Sequence, residues 1–231
     1  MILSPLILDL HSLGIGTSSS PRAEGLHAST IYNDLFQDLE PTRYKRDHLP
    51  PPLLLETGLV FEQILEEGLR RRFETGQVGA EFIERPGEFS HDDTFDGHPY
   101  TIHYNPDLFI YNGCLRVGEI KATWLSSHIE HEWLADEAAQ RKYEDEIRQA
   151  ILGNPKLDKY WCQLKFYCWF LKTQYGRLYP LFIAGNYTRP FTTQLIALDV
   201  KFSEDDLHQN YMMLMHHALH KGFIGPKRSA L

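Results

Sequence analysis

The stretch Asn105-Pro106-Asp107-Leu108-Phe109-Ile110-Tyr111-Asn112-Gly113-Cys114-Leu115-Arg116-Val117-Gly118-Glu119-Ile120-Lys121 decides how this chain is read. Apolar runs flank Asn112-Gly113, and both of those residues tolerate the positive φ of a type I′ turn. The stretch therefore predicts a β-hairpin with strands over roughly Leu108–Tyr111 and Leu115–Lys121. Side chains alternate along a strand, so Glu119 and Lys121 share a face near the end of the second strand and Ile120 points into the other. Asp107, at the open end of the first strand, is folded back onto them. Two carboxylates and an ammonium on one sheet edge suit a hard divalent cation with a water or phosphate beside it.

Before the hairpin, residues 1–26 carry Gly, Ser and Pro without periodicity and read as an irregular lead-in. Ser29 is placed to N-cap a short helix to Leu39, closed by Pro41. A basic, proline-rich connector precedes a strong helix over about Leu53–Phe73, in which Glu62 and Glu66 lie one turn apart and Arg70, Arg71 and Arg72 face the negative end of the dipole. Val78–Ile83 and Tyr100–Tyr104 are expected strands, separated by a polar turn over His91–His98. After the hairpin, the segment up to about Gln149 is charged and poor in apolar anchors, an expected exposed helical insertion. An aromatic-rich helix over about Lys156–Tyr175 follows, then strands over Leu178–Ala184 and Thr192–Val200. Ser203 is expected to N-cap a last helix reaching His220, ended by Gly222. The division expected is an arm with a short helix over 1–52, a core over 53–222 with an acidic insertion at about 125–155, and a tail over 223–231.

Read from the residues alone, the hairpin fits a metal-dependent hydrolase of phosphodiesters. One or two Mg²⁺ (or Mn²⁺) ions would be held by Asp107, Glu119 and the backbone carbonyl of Ile120, with few protein ligands because Mg²⁺ keeps several waters. Lys121 would orient or deprotonate the attacking water, or stabilise charge developing on the phosphate.

Pro106-Asp107, eleven intervening residues and Glu119-Ile120-Lys121 resemble the signature of the PD-(D/E)xK nuclease superfamily. Gly58-x-x-x-Glu62 on the earlier helix resembles the first-helix acidic motif of its RecB-like and lambda-exonuclease-like branch. Gln163-Leu-Lys-Phe-Tyr167 on the later helix is similar to that branch's Q-x-x-x-Y motif. The resemblance covers roughly residues 55–200. It implies an α/β (α+β), restriction-endonuclease-like core with a central mixed β-sheet flanked by α-helices. It implies that Glu62 adds a metal ligand, and that Gln163 and Tyr167 line the DNA path or support Lys121. A DNA exonuclease of the phage type, acting in recombination, repair or phage DNA processing, is the implied activity. Other readings are a non-catalytic nuclease-like scaffold and a structure-specific endonuclease. Glu62 stands where RecB-like members often carry His, which moves the analogy toward phage-type exonucleases. DNA, a recombination or replication protein and further copies of the chain are the implied partners.

Composition sets outer bounds. The 231 residues are 42% hydrophobic, enough for one sizeable core, and the formal net charge is −8. That charge excludes a passive nucleic-acid coat but not a nuclease, whose metal-site carboxylates count as negative until ions arrive. Three cysteines, Cys114, Cys162 and Cys168, make neither a disulfide framework nor a four-thiolate site, so no iron–sulfur cluster is expected. Without a basic leader or a membrane-length apolar run, the expectation is a soluble, intracellular protein with no membrane partner. Lys165, Arg141, Lys142 and Lys172 are candidate DNA contacts that no spacing singles out.

Overall fold

A computed structural model describes residues 24–44, 52–77, 79–123, 137–142, 145, 146, 149, 155–182 and 197–225. Its elements run β1 (Leu26–His27), α1 (Ala28–Leu39), α2 (Pro52–Glu74), β2 (Phe82–Glu84), β3 (Phe89–Phe95), β4 (His98–Tyr104), β5 (Leu108–Tyr111) and β6 (Leu115–Thr123). After these come α3 (Glu137–Lys142), a 3₁₀ turn (Pro155–Leu157), α4 (Asp158–Phe170), β7 (Tyr175–Phe182), β8 (Leu198–Lys201) and α5 (Glu204–His220). The strands form a mixed five-stranded sheet, ordered β2-β5-β6-β7-β8, and a mixed three-stranded sheet, ordered β1-β4-β3. The fold is mixed α/β, with helices against the sheets. The larger sheet is the expected central one; the smaller sheet is an addition to it.

Its two faces meet two apolar clusters. Ile83, Leu108, Ile110, Ile120 and Tyr179 form one, against Leu65 and Leu69 of α2. The opposite face, represented by Val117, joins the main core of α1, α4, α5 and the small sheet. Ile31, Tyr32, Leu35 and Phe36 bury one stripe of α1 at helical spacing. The helix grouped in sequence with the N-terminal arm thus packs into the main core.

Several boundaries differ from expectation for local reasons. Tyr111 pairs with Leu115, leaving the three-residue loop Asn112-Gly113-Cys114, and only Gly113 has positive φ (72°). The expected two-residue type I′ turn is therefore replaced by a three-residue loop with glycine in the left-handed region. The type I′ geometry lies instead at Asp96-Gly97, where φ is 50° and 77° and Phe95 pairs with His98. The polar span expected as a turn is consequently mostly β3, whose exposed face is polar. Ser29 lies inside α1, since His27 takes the extended N-cap conformation. The described strand near Val78–Ile83 is only Phe82–Glu84, with Val78 outside the described residues.

α4 ends at Phe170 rather than Tyr175. Lys172 adopts φ 53°, and the Thr173 amide donates to the Cys168 carbonyl at 3.1 Å, closing the helix without a glycine. At α5, Ser203 and Asp206 form the expected N-terminal cap, a reciprocal capping box. Ala184, residues 192–196 and most of the 125–155 insertion lie outside the described residues; Arg141 and Lys142 are exposed at the end of α3.

Candidate active site

The hairpin register places the site. Leu108, the first residue of β5, pairs with Gly118 at the open end of the hairpin, so Asp107 stands where β6 runs on beyond its partner. There the Ile120 amide donates to Asp107 Oδ2 at 2.7 Å, replacing the ladder bond that β5 no longer supplies. Glu119 and Lys121 project from the α4 side of β6, and Ile120 projects into the α2 cluster. Gly118 permits the close pairing: a Cβ there would sit 2.9 Å from Leu108 Cβ.

Lys121 is the hub. Its ammonium pairs with Glu119 Oε1 and lies 3.7 Å from Asp107 Oδ2. Glu119 is fully buried; Gln163 Nε2 also donates to its Oε1, while Oε2 has no hydrogen-bond partner among the described residues. The second Gln163 N–H donates to the Tyr167 hydroxyl at 3.0 Å, and Tyr167 is hydrogen-bonded in turn to Tyr32 of α1. A buried chain therefore runs Glu119–Gln163–Tyr167–Tyr32, across three elements.

Electrostatics follow from this crowding. Burial, with the nearby charges of Asp107 and Glu62, pushes the Glu119 carboxyl up to about 8 against the pull of Lys121. Burial opposes the charge on Lys121, but Asp107 and Glu119 more than offset it and hold the ammonium above the ordinary lysine range. Burial and the Asp107 charge raise Glu62, which Lys121 and Arg85 partly counter. Glu62 is thus near enough to feel the charges of Asp107 and Lys121, whereas Glu66 pairs with Arg85 at 3.3 Å. Arg70 is taken up by Glu67 and Glu74 along α2.

The donor set fits a hard divalent cation. It consists of carboxylate oxygens without thiolate or imidazole, and it contains an orphaned buried oxygen at Glu119. Glu62, Asp107 and Glu119 do not all bring an oxygen within 4.8 Å of one another. Among the described residues the tighter group is Asp34, Asp38 and His217. There the Lys221 ammonium already serves Asp34 at 3.3 Å and Asp38 at 2.6 Å.

The structure thus brings Asp107, Glu119, Lys121, Gln163 and Tyr167 to one place, with Ile120 tied to Asp107 through its amide and Glu62 within electrostatic reach of Asp107 and Lys121. Sequence reasoning missed Tyr32, Lys159 and Tyr160. Tyr160 was legible, since 160, 163 and 167 fall on one helix face. Lys159 lies one turn before Gln163. Tyr32 had no signal beyond its place on an apolar stripe. Lys165 and Lys172 lie over the rings of Phe202 and Trp169, 5.6 and 4.9 Å from the centroids.

No protein-family model matches the chain, and no curated protein matches it. Among solved structures, one of SSO0001 is 16% identical, with a TM-score of 0.48, over 89% of this chain and 82% of that one. The alkaline exonuclease LHK-Exo from Laribacter hongkongensis is 13% identical, with a TM-score of 0.46, over 90% and 89%. A phage-related exonuclease from Haemophilus somnus 129PT is 13% identical, with a TM-score of 0.39, over 84% and 80%. Likeness of this extent leaves the chemistry to be argued from the site itself.

Proposed function

We propose that this protein is a nuclease that hydrolyses phosphodiester bonds in DNA with the help of Mg²⁺ or Mn²⁺, cutting from an end rather than internally. The observation that carries this reading is Glu119, a fully buried carboxylate whose one oxygen is held by Lys121 and Gln163 while the other has no partner among the described residues. A buried, unpaired carboxylate oxygen is costly unless something completes it. Glu62, Asp107, Glu119 and the Ile120 carbonyl are the groups that would hold a cation. When bound, the cation would withdraw charge from the phosphate and lower the cost of attack by water.

The chain's own residues supply the rest. Asp107 ties the Ile120 amide, which holds β6 in place where its partner strand has ended. Lys121, kept protonated by two carboxylates, is a poor base and a good donor. Its role is to orient the attacking water and stabilise charge on the phosphate in the transition state. Gln163 fixes the orientation of Glu119, and Tyr167 fixes Gln163. Among the described residues no helix is long and apolar enough to cross a membrane. Recombination, repair or phage DNA processing is the proposed setting, with a recombination or replication protein, or further copies of the chain, as partners.

The test is cleavage of linear and covalently closed DNA with Mg²⁺ and with EDTA. Linear DNA should be degraded only with the metal, and Lys121→Ala should abolish the degradation. Cutting that persists in EDTA or in Lys121→Ala overturns the assignment. Equal cutting of closed circles replaces an exonuclease by an endonuclease, and no cutting together with no metal binding leaves a scaffold.

A further inference from the structure

Lys159 stands beside the site without belonging to its ion-pair network. It lies in the first turn of α4, four residues before Gln163. Its ammonium is 5.4 Å from the ring centroid of Tyr44 and 5.5 Å from that of Tyr160. The Tyr160 ring also carries the Lys121 ammonium at 5.8 Å, so two cations share one aromatic wall. Lys121 has Asp107 and Glu119 as counter-charges. Among the described residues no carboxylate pairs with Lys159; burial and repulsion from Lys121 hold its pKa below the ordinary lysine range. Tyr44 is itself anchored, its hydroxyl donating to the Pro155 carbonyl at 3.2 Å and its ring meeting Phe36 edge-on at 5.5 Å.

A half-buried ammonium without a counter-ion is unfavourable, and ring faces recover only part of that cost. An arriving anion would supply what is missing. The neighbouring carboxylate cluster cannot, because Lys121 already stands against it. We propose that Lys159, with Tyr44 and Tyr160 as walls, is a phosphate subsite that grips the nucleic-acid backbone next to the phosphate presented to Lys121. The proposal rests on the reading of Asp107, Glu119 and Lys121 as a phosphodiesterase centre. It gives a chain with a net charge of −8 a local cationic contact for a polyanion.

The experiment is anisotropy of a labelled single-stranded oligonucleotide in Ca²⁺, titrated with salt, for the full chain and for Lys159→Met and Lys159→Arg. Lys159→Met should weaken binding about tenfold and lower the slope of log affinity against log salt by about 0.7, the loss of one phosphate contact on a single strand. Lys159→Arg should restore both, and thermal melts confirm that the variants are folded. Lys159→Gln deletes the same charge should the methionine variant fail to fold. With Mg²⁺ and linear DNA, KM should rise while kcat stays within about twofold. Unchanged affinity and slope, or weaker binding with an unchanged slope, overturns the subsite. Oligonucleotide binding with a Lys159-dependent slope but no cutting keeps the subsite and removes the hydrolase reading. Absence of oligonucleotide binding by the unmodified chain overturns the subsite.

Discussion

Glu119 has no exposed surface; its Oε1 meets the Lys121 ammonium and the Gln163 amide, and its Oε2 has no hydrogen-bond partner among the described residues. Glu119→Gln preserves shape while removing charge, so it should lower the rate of metal-dependent cleavage by about 10²–10³-fold, the scale of losing one preorganised electrostatic contact. It should also change the response to pH. The folded-state value, about 8, lies above the 4.5 of an ordinary glutamate. The protonated carboxyl therefore favours the fold fully below about 4.5, and this contribution is lost as pH rises through about 8. In EDTA the thermal midpoint should fall across that window, and the Glu119→Gln variant should lack that part of the fall. Superimposable pH profiles would remove the assigned role of burial. Tyr32→Phe tests the far end of the chain of hydrogen bonds. It leaves the Tyr167 hydroxyl one partner short in a buried place, and urea unfolding should report a loss of about 1–3 kcal/mol.

At the scale of elements, the hairpin works because β6 is longer than β5. Just before β5 begins, Asp107 takes over the Ile120 amide, and the end of β6 becomes a platform for side chains. Gly118 keeps the strands in register against Leu108. Gly118→Ala should cost about 1–3 kcal/mol by overpacking, measured by chemical denaturation, and should also weaken cleavage by displacing Asp107. Wild-type activity in a destabilised Gly118→Ala protein would show that the position of Asp107 tolerates movement. Away from the site, Arg177 joins β7 to β8 through Asp199 at 2.9 Å and to Glu81, while Arg116 reaches Glu81 at 3.2 Å. The carboxylates are held low: at Asp199 by the Arg177 hydrogen bond, and at Glu81 despite burial, by hydrogen bonds from Arg177 and Asn112. That network locks the far end of the same sheet.

For the whole molecule, the site is a junction. α1, α2, α4 and the β5–β6 hairpin each contribute a group, so a ligand that bridges them should raise the stability of the entire fold. Mg²⁺ in about hundredfold excess over its dissociation constant should add about 2.7 kcal/mol, seen as a rise in thermal midpoint. Asp107→Asn should abolish that rise, and a rise of equal size in the variant would place the cation elsewhere. The Asp34–Asp38–His217 group is the natural place to look in that event, although Lys221 already balances it.

The hairpin, both long flanking helices, the N-cap at Ser203 and the gathering of Asp107 with Glu119 and Lys121 were legible in the sequence. Each rests on interactions between residues near in the chain, or on the strict alternation of a strand. Gln163 and Tyr167 were legible only through resemblance, because a polar residue and a tyrosine on an aromatic helix read equally well as core. Of the second sheet only β4 was legible, through Tyr100–Tyr104: β3 is too polar on its exposed face to stand out, and Asp96-Gly97 was absorbed into a turn. Nor could the end of α4 be read, since Lys172 adopts a left-handed conformation without the glycine that usually marks it. Only tertiary structure decided that Tyr32 closes the hydrogen-bond chain and that Lys159 faces the Lys121 ring wall. Those contacts join residues far apart in the chain, and which of many possible partners meet is set by how helices and sheets pack, not by local pattern. The stretch from Asn105 to Lys121 determined which charged groups gather at the end of β6; packing of α1, α2 and α4 around it determined which side chains surround them.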